Sequence, residues 1–179
     1  MSEEDAERLI ILMIGSSGRP VPTFIHMQKE MFLLSRSFAK IEDTFHFEAH
    51  YYGAYSQHLD ESIKEPLYYP NSYSYDKRGI FLFNEGKSNF ESFSRKYKSS
   101  ESFQLILSSM KMTREIYDKL TYNEFLLLMY LTYPDYTAKS VIFSGLVEDE
   151  TKKNSLLQSI RRKGLLTDDR FNELMEIRV

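Results

Sequence analysis

The residues closest to a chemical site are His46, Glu48 and His50, which alternate with apolar residues. If this stretch is a β-strand, side chains two positions apart lie on one face, so both imidazoles and the carboxylate would project together. Three such groups could bind zinc, with water as a fourth ligand. The same alternation is typical of the polar face of an ordinary strand. We favour that second interpretation, because no further protein ligand accompanies the three residues.

No other arrangement in the sequence predicts catalysis. The 179 residues include no cysteine, which excludes disulfides, thiolate zinc sites and cysteine nucleophiles together. The sequence also lacks a Gly-x-Ser-x-Gly elbow, a glycine-rich phosphate loop and a His-Glu-x-x-His motif. We therefore expect a protein that is not an enzyme and needs no cofactor, with a metal-dependent hydrolase as a minor alternative.

Basic residues indicate where a nucleic acid would bind, although 23 basic and 26 acidic side chains give a net charge of −3 and not a basic balance. Lys77 and Arg78, in a predicted hairpin turn, could contact phosphates, as could a basic cluster within residues 151–164. That cluster consists of Lys152, Lys153, Arg161, Arg162 and Lys163. A charged run of this kind is more often a solvated helix face.

The helix predicted for residues 56–65 would be the recognition helix of a DNA-binding fold. Gln57 and His58, near its start, could reach base edges. The same helix carries three acidic residues against one cation, and phosphates would repel that surplus of negative charge. We therefore favour packing or a protein contact for this helix.

Tyrosine is abundant, with 13 in the chain. Its apolar ring and polar hydroxyl suit protein interfaces, and four tyrosines are our candidates for such contacts. They are Tyr52, Tyr55, Tyr68 and Tyr69. The aromatic residues of 67–83 could alternatively stack on single-stranded bases. Strand packing or a protein interface explains them more simply.

The elements that must position these residues begin with three helices. Ser2–Asp5 reads as a capping box in front of an apolar stripe over residues 6–14. Thr23 can cap a second helix after a Gly/Pro turn, and Ser56 can cap a third that Pro66 ends. Short helices joined by such a turn are typical of helix-turn-helix arrangements.

Strand patterns follow and separate these helices. Residues 45–51 alternate like a strand, and residues 68–75 and 79–83 predict a hairpin around an Asp-Lys-Arg-Gly turn. Asn84 can cap the next helix, which is predicted to run to about residue 97. The order helix, helix, helix, hairpin is that of a winged helix.

The second half of the chain is predicted to be helical. Residues 103–110 form an apolar stripe, and Thr121–Glu124 is a capping box in front of a helix that is apolar on nearly every side. Gly164 closes a further helix, and a terminal one follows. We expect a mostly α (α+β) fold with a winged helix-turn-helix domain at 1–99, including a small β-hairpin wing, and a helical C-terminal extension at 100–179.

Three segments resemble motifs of the YwgA-like winged-helix family, which is related to the Panacea (SocA-like antitoxin) domain. MQKEMFLL at residues 27–34 is similar to its LQKLLFLL helix, YGAYS at 52–56 to YGPYS, and YPDYTAKS at 133–140 to YPEYTxKS. Ala54 departs from the proline of the family, and residues 65–68 depart from its GLI segment. The resemblance implies a winged-helix core, no enzymatic activity, and the neutralising role of a toxin–antitoxin pair.

Composition predicts a cytoplasmic protein with no membrane contact. The acidic start lacks the basic region of a signal peptide, and the longest apolar run, residues 125–131, is far shorter than the ~20 residues that cross a bilayer. We expect a non-catalytic regulatory binding protein, transcription-regulator-like or antitoxin-like, whose partner is a protein, DNA or both. A protein-interaction module without DNA binding is the alternative, and the fold would allow a homodimer.

Overall fold

The structure is a computed structural model that describes residues 3–177. These residues are mostly helical and contain two antiparallel β-hairpins, which confirms the predicted mostly α class. The helices are α1 (Glu3–Gly15), α2 (Phe24–Ser35), α3 (Ala39–Phe45), α4 (Gln57–Lys64), α5 (Asn84–Lys96), α6 (Glu101–Tyr117), α7 (Tyr122–Thr132), α8 (Glu150–Arg162) and α9 (Asp168–Glu176). The strands are β1 (Glu48–His50), β2 (Gly53–Tyr55), β3 (Tyr73–Asp76) and β4 (Gly79–Leu82). A 3₁₀ turn at Pro134–Tyr136 and a π-helical turn at Ser144–Glu148 lie between α7 and α8.

The chain divides into two compact units. The first contains the chain up to Phe47 together with Ser56–Asp118, and the second contains Glu48–Tyr55 and the chain from Lys119 onward. This division differs from the predicted boundary between residues 99 and 100, because α6 belongs to the first unit and the β1–β2 hairpin to the second. Residues 97–100, at the predicted boundary, form only the connection between α5 and α6.

The predicted helix starts are confirmed where a hydroxyl caps the helix. Thr23 and Ser56 each accept a hydrogen bond from a backbone N–H in the first turn, at 3.2 and 3.1 Å. Thr121 and Glu124 form the predicted capping box of α7. These bonds satisfy N–H groups that have no partner inside the helix. The capping box predicted at Ser2 lies outside the described residues.

Two helices are buried over most of their surface. Every residue of α1 from Leu9 to Ile14 is buried. Helix α7 buries Glu124 and six of its apolar residues, as its mainly apolar sequence predicts. None of the helices within residues 3–177 has the length and apolar character that a membrane span requires.

The chain around residue 45 differs from the predicted strand. Ala39–Phe45 form α3, a helix that the alternating pattern does not predict. His46 ends this helix in the left-handed conformation, with φ of 48°, and β1 begins only at Glu48. A left-handed residue breaks the extended backbone that a continuous strand needs. Phe45 and Phe47 are nevertheless buried, so the apolar pattern correctly marked burial while its period indicated the wrong element.

The predicted hairpin is confirmed, with a first strand that is shorter than expected. In the β3–β4 pair, Tyr75 lies opposite Ile80 and Asp76 opposite Gly79. The residues before Tyr73 form a turn and not a strand. The predicted cap at Asn84 is wrong, because Asn84 is the first residue of α5 and Phe83 holds the N-cap position without a capping side chain.

Two backbone hydrogen bonds join this hairpin to the segment between α1 and α2. The N–H of Val21 donates to the carbonyl oxygen of Ile80, and the N–H of Ile80 donates to that of Val21, both at 2.8 Å. Gly79 permits this approach, because its φ is +105° and a Cβ atom there would lie 2.1 Å from the carbonyl oxygen of Val21. A third extended segment therefore borders the hairpin.

A buried cation joins α6 to the end of α1. The side chain of Arg114 is fully buried, and its Nη1 donates to the carbonyl oxygens of Met13 at 3.0 Å and Ile14 at 3.4 Å. Its Nη2 donates to the carbonyl oxygens of Arg19 and Pro20, each at 2.9 Å. The last turn of a helix leaves carbonyl oxygens without intrahelical partners. Arg114 therefore caps α1 from another helix.

Two carboxyl groups accompany this guanidinium. The Nε of Arg114 donates to Asp118 Oδ1 at 2.8 Å, and Glu30 Oε2 lies 3.7 Å from the same nitrogen. Burial and the nearby charge of Asp118 raise the pKa of Glu30, despite the opposing effect of Arg114. Asp118 is consequently the main counterion of Arg114.

We expect Arg114→Ala to lower the free energy of unfolding by about 3–5 kcal/mol, because it removes the cation that is hydrogen-bonded to Asp118 and leaves four carbonyl oxygens without their donor. Urea unfolding followed by circular dichroism measures the change. Lys111→Ala on the same helix is the control, since Lys111 is exposed and lies 3.9 Å from Glu115. That variant should unfold like the wild type. Equal losses in the two variants would contradict the role assigned to Arg114.

Candidate functional site

The loop between α4 and β3 presents two large apolar side chains to solvent. Leu67 is 72% exposed and Tyr68 is 54% exposed. Single exposed apolar residues are common on protein surfaces, but an adjacent pair on one loop forms a patch that a partner could cover. Tyr68 is among the predicted contact residues. Leu67, which is not among them, contributes further apolar surface to the same patch.

The carboxylate of Glu7 fixes the backbone of this loop. Glu7 is 1% exposed, and its two oxygens accept hydrogen bonds from three successive backbone N–H groups. Oε1 accepts from Leu67 at 2.6 Å, Oε2 accepts from Tyr69 at 2.6 Å, and both accept from Tyr68 at 3.1 Å. Hydrogen bonds to a charged acceptor are shorter and stronger than neutral ones. The loop is therefore held in one conformation while its two side chains stay in water.

Tyr69 supports the loop and contributes little to its exposed face. Its hydroxyl donates to Glu4 Oε1 at 3.0 Å and accepts from Arg8 Nε at 3.1 Å. Its ring meets that of Phe93 edge-on, with centroids 5.8 Å apart. The hydrogen bond with Tyr69 raises the pKa of Arg8. Of the two predicted contact residues in this loop, Tyr68 is accessible and Tyr69 is engaged.

The other two predicted contact tyrosines lie in the second unit. Tyr52 is exposed, and its ring approaches Tyr122 edge-on at a centroid distance of 6.3 Å. Tyr55 is half-buried and stacks on His50 across the β1–β2 hairpin, with centroids 4.6 Å apart. Tyr52 is thus the more accessible of the two.

The predicted base-reading residues of α4 are engaged within the protein. Gln57 Nε2 donates to Glu61 Oε1 at 2.6 Å, and His58 Nδ1 lies 2.7 Å from a backbone carbonyl oxygen of α3. Lys64 pairs with Asp60 at 2.5 Å. The exposed surface of α4 is therefore acidic and internally paired, which is unfavourable beside phosphates.

The β3–β4 turn carries one paired and one unpaired cation. Arg78 binds both carboxylate oxygens of Asp76, with Nη2 2.6 Å from Oδ2, and its guanidinium carbon lies 4.4 Å from the ring centroid of Phe81. The bonds from Arg78 lower the pKa of Asp76. Lys77 is exposed and forms no ion pair with any residue of 3–177. Of the predicted phosphate contacts in this turn, Lys77 is the accessible one.

The prediction that Lys153 contacts nucleic acid is wrong. Its side chain is fully buried, and Nζ donates to the carbonyl oxygens of Ile177 at 2.5 Å and Met175 at 3.4 Å. Lys153 lies four residues before Leu157 and seven before Ile160, so it falls on the buried face of α8. Its role is to donate hydrogen bonds to backbone carbonyl oxygens at the C-terminal end of α9.

The remaining basic residues of this cluster are partly neutralised. Lys163 donates to Glu124 Oε2 at 2.5 Å, and Arg161 pairs with Asp168 at 2.7 Å. Lys152 and Arg162 are exposed, and across the described part of the chain neither side chain pairs with an acid. The run of five cations thus presents two unpaired ones to solvent.

The zinc alternative loses its geometric basis. His46 is the left-handed residue that ends α3, and only Glu48 and His50 lie on a strand. The ring of His50 packs between those of Tyr51 and Tyr55. Within residues 3–177, no group of three His, Asp or Glu side chains is arranged to hold a metal ion.

Glu7, the residue that positions the exposed loop, is not among the site residues predicted from the sequence. Glu7 lies three, four and seven residues before Ile10, Ile11 and Ile14, and all of these are buried. An acid at helical spacing from three core residues must reach a hydrogen-bond donor inside the protein. That spacing indicates a buried acceptor, but it does not identify the donors 60 residues away.

We expect Glu7→Gln to lower the free energy of unfolding by about 1–3 kcal/mol, because an amide supplies one acceptor oxygen and turns an N–H donor toward the loop. Hydrogen exchange of the amides of residues 67–69 should become faster. Glu61→Gln, at an exposed position of α4, is the matched control and should leave both quantities unchanged. Unaltered exchange in Glu7→Gln would show that the carboxylate does not order the loop.

The ion pair of Glu124 predicts a pH dependence. Burial would raise the pKa of Glu124, but hydrogen bonds from Lys163, Thr121 and Ser159 outweigh it and lower the pKa to about 2. The unfolded chain has a pKa of about 4.3, so the ionised group stabilises the fold fully above about pH 5, and this stabilisation is lost as the pH falls toward 2. Glu124→Gln should therefore cost about 3 kcal/mol at neutral pH and little near pH 2.

Urea unfolding of wild type and Glu124→Gln at a series of pH values measures this difference. Glu148→Gln, at an exposed position of the π-helical turn, is the control and should show no such trend. A cost that stays constant across the acid range would mean that the charge of Glu124 is not what stabilises the fold.

Two of the three motifs that resemble YwgA-like proteins are joined in the structure. Gln28, in α2, donates from Nε2 to the carbonyl oxygen of Ser56 at 2.9 Å, and its Oε1 accepts from the N–H of Ser56 at 2.8 Å. The hydroxyl of Ser56 also donates to the carbonyl oxygen of Phe45. This buried pair fixes the start of α4 on α2. No family model, curated protein or solved structure matches the chain.

Proposed function

We propose that this protein is a non-catalytic regulatory module that binds another protein through the loop carrying Leu67 and Tyr68. The observation that carries the proposal is the set of hydrogen bonds from this loop to Glu7. An apolar anchor that is already ordered loses little conformational entropy when a partner covers it. Tyrosine is also among the residues that contribute most to binding energy in protein interfaces.

A winged-helix core in the first unit is part of this proposal. In it, α1, α2 and α4 are the three helices, the β3–β4 hairpin is the wing, and the segment at Val21 is the short strand beside it. The paired hydrogen bonds between Val21 and Ile80 support this assignment. The resemblance to the YwgA-like family supports it independently, and its antitoxin relatives favour a toxin-like protein as the partner.

The non-catalytic part of the proposal rests on where the ionisable groups of the first unit lie. Lys29, Glu30 and Arg114 are all buried, so none of them can reach a substrate from these positions. Burial lowers the pKa of Lys29 to about 7. The contacts of Arg114 are with backbone carbonyl oxygens and with Asp118 and Glu30, which is the arrangement of a structural charge.

DNA binding has less support than protein binding. Most of the cations expected to contact phosphates are buried or paired with acids, and the exposed surface of α4 is acidic. Lys77, Lys152 and Arg162 would have to carry the interaction. Phosphate contacts by so few cations give weak, strongly salt-dependent binding.

The test is to compare complexes recovered from the native host with wild type and with the double variant Leu67→Ser, Tyr68→Ser. A stoichiometric partner should co-purify with the wild type and fall at least about tenfold with the double variant, because the loss of two apolar anchors weakens binding by more than about 1.4 kcal/mol. Quantitative mass spectrometry measures the ratio.

Leu105→Ser is the matched control, since Leu105 is 59% exposed on α6 and lies away from this loop in sequence. It should leave the partner bound. Equal recovery with the double variant, or recovery of free monomer from the wild type, would refute the proposal.

A further inference from the structure

A cleft in the first unit has the composition of a small-molecule site. It encloses about 380 Å³ between the end of α1, the loop that follows it, β4 and α5. Ile14, Pro20, Leu82 and Phe90 are among the apolar residues that line it. Ligand sites are typically concave, mainly apolar and about 300–1,000 Å³ in volume, with a few polar groups that fix orientation. The cleft shares no residue with the Leu67–Tyr69 loop.

Gly15 determines the depth of the cleft. The ring of Phe90 packs directly on the backbone of Gly15, so that a Cβ atom at this position would lie 2.3 Å from Phe90 Cδ2. Any larger residue would displace the ring of Phe90, which lines the cleft. Gly18, in the loop, has a φ of +66° and would meet no atom within 4 Å if it carried a Cβ. The cleft is thus tightly packed on its α1 side and open on its loop side.

Two cations and one carboxylate lie at the cleft. Arg19 is 57% exposed, and its Nη2 lies 3.6 Å from Asp118 Oδ2, which is too long for a hydrogen bond. Lys87 is exposed and has no ion pair with any of the described residues. Glu91 is exposed one helical turn further along α5. The cleft therefore has a surplus of positive charge over an apolar floor.

We propose that this cleft binds a small amphiphilic carboxylate, whose apolar body lies among Ile14, Leu82 and Phe90 and whose carboxylate lies between Arg19 and Lys87. The apolar floor favours a hydrocarbon or aromatic body, since each buried methylene strengthens binding by about fourfold. The two cations select an anion over a neutral or cationic amphiphile of the same size. This site goes beyond the proposed protein-binding role and does not depend on it.

The probes for the test are decanoate, decanol and decyltrimethylammonium, which share a hydrocarbon chain and differ in charge. Titration followed by NMR of the methyl groups of Ile14 and Leu82 locates binding and gives the dissociation constants. We expect decanoate to bind most tightly and decyltrimethylammonium most weakly. Octanoate should bind about fifteenfold more weakly than decanoate, because it buries two fewer methylene groups.

Charge variants test the role of Arg19, Lys87 and Glu91 at the cleft. The double variant Arg19→Gln, Lys87→Gln should weaken decanoate binding by about fivefold and leave decanol binding unchanged. Glu91→Gln should strengthen decanoate binding, because it removes the like charge. Lys111→Gln, an exposed cation on α6 outside the cleft, is the matched control and should change neither.

Gly15→Ala tests the apolar floor, and the charge variants remain decisive if that variant folds poorly. Gly15→Ala should weaken the binding of all three probes, because it displaces the Phe90 ring that lines the cleft. Equal affinity for the three probes, unchanged decanoate binding in Arg19→Gln, Lys87→Gln, or methyl shifts confined to other residues would each overturn the proposal.

Discussion

The guanidinium of Arg114 is the constraint on which much of the first unit depends. A helix that ends inside a protein leaves carbonyl oxygens facing neither water nor the next turn. Arg114 supplies donors to two such oxygens at the end of α1 and to two more in the loop that follows. A leucine or methionine would fill a similar volume and satisfy none of them. Because the same loop leads to Val21, its fixed path also brings Val21 to the β3–β4 hairpin and shapes the cleft beside Gly15.

Glu7, in the first half of the same helix, is a buried charge of the opposite sign that also binds backbone groups. There a buried carboxylate accepts from backbone N–H groups of a distant loop, whereas Arg114 donates to backbone carbonyl groups. In both places a charge is taken out of water, which is unfavourable, and hydrogen bonds to several backbone groups offset that cost. At Glu7, these hydrogen bonds also determine which side chains of the loop are exposed. A loop fixed from beneath can expose Leu67 and Tyr68 without collapsing onto the core, and such a surface suits a protein partner.

The charges on the surface illustrate why residue type alone is a poor guide to nucleic-acid binding. Lys153 and Arg162 look equivalent in the sequence. The side chain of Lys153 is buried and donates to carbonyl oxygens at the C-terminal end of α9, whereas Arg162 is exposed. Arg78 is in solvent, yet both oxygens of Asp76 occupy its guanidinium. Local pairing of this kind reduces the charge that a phosphate would meet. The proposed function follows from which groups remain available after folding.

Features that arise within a few residues of chain are the ones that the sequence predicts correctly. Hydroxyl caps at Thr23 and Ser56, the capping box at Thr121, the β3–β4 turn and the buried character of α1 and α7 all depend on neighbours three or four residues away, so their patterns predict them. The winged-helix assignment and the partner remain predictions. The left-handed turn at His46 and the place of α6 in the first unit depend on contacts beyond the local pattern, as do the backbone donors that Glu7 reaches and the backbone acceptors that Arg114 reaches. Those contacts join residues 60 to 100 positions apart, and no local pattern encodes which distant backbone group a buried charge will meet.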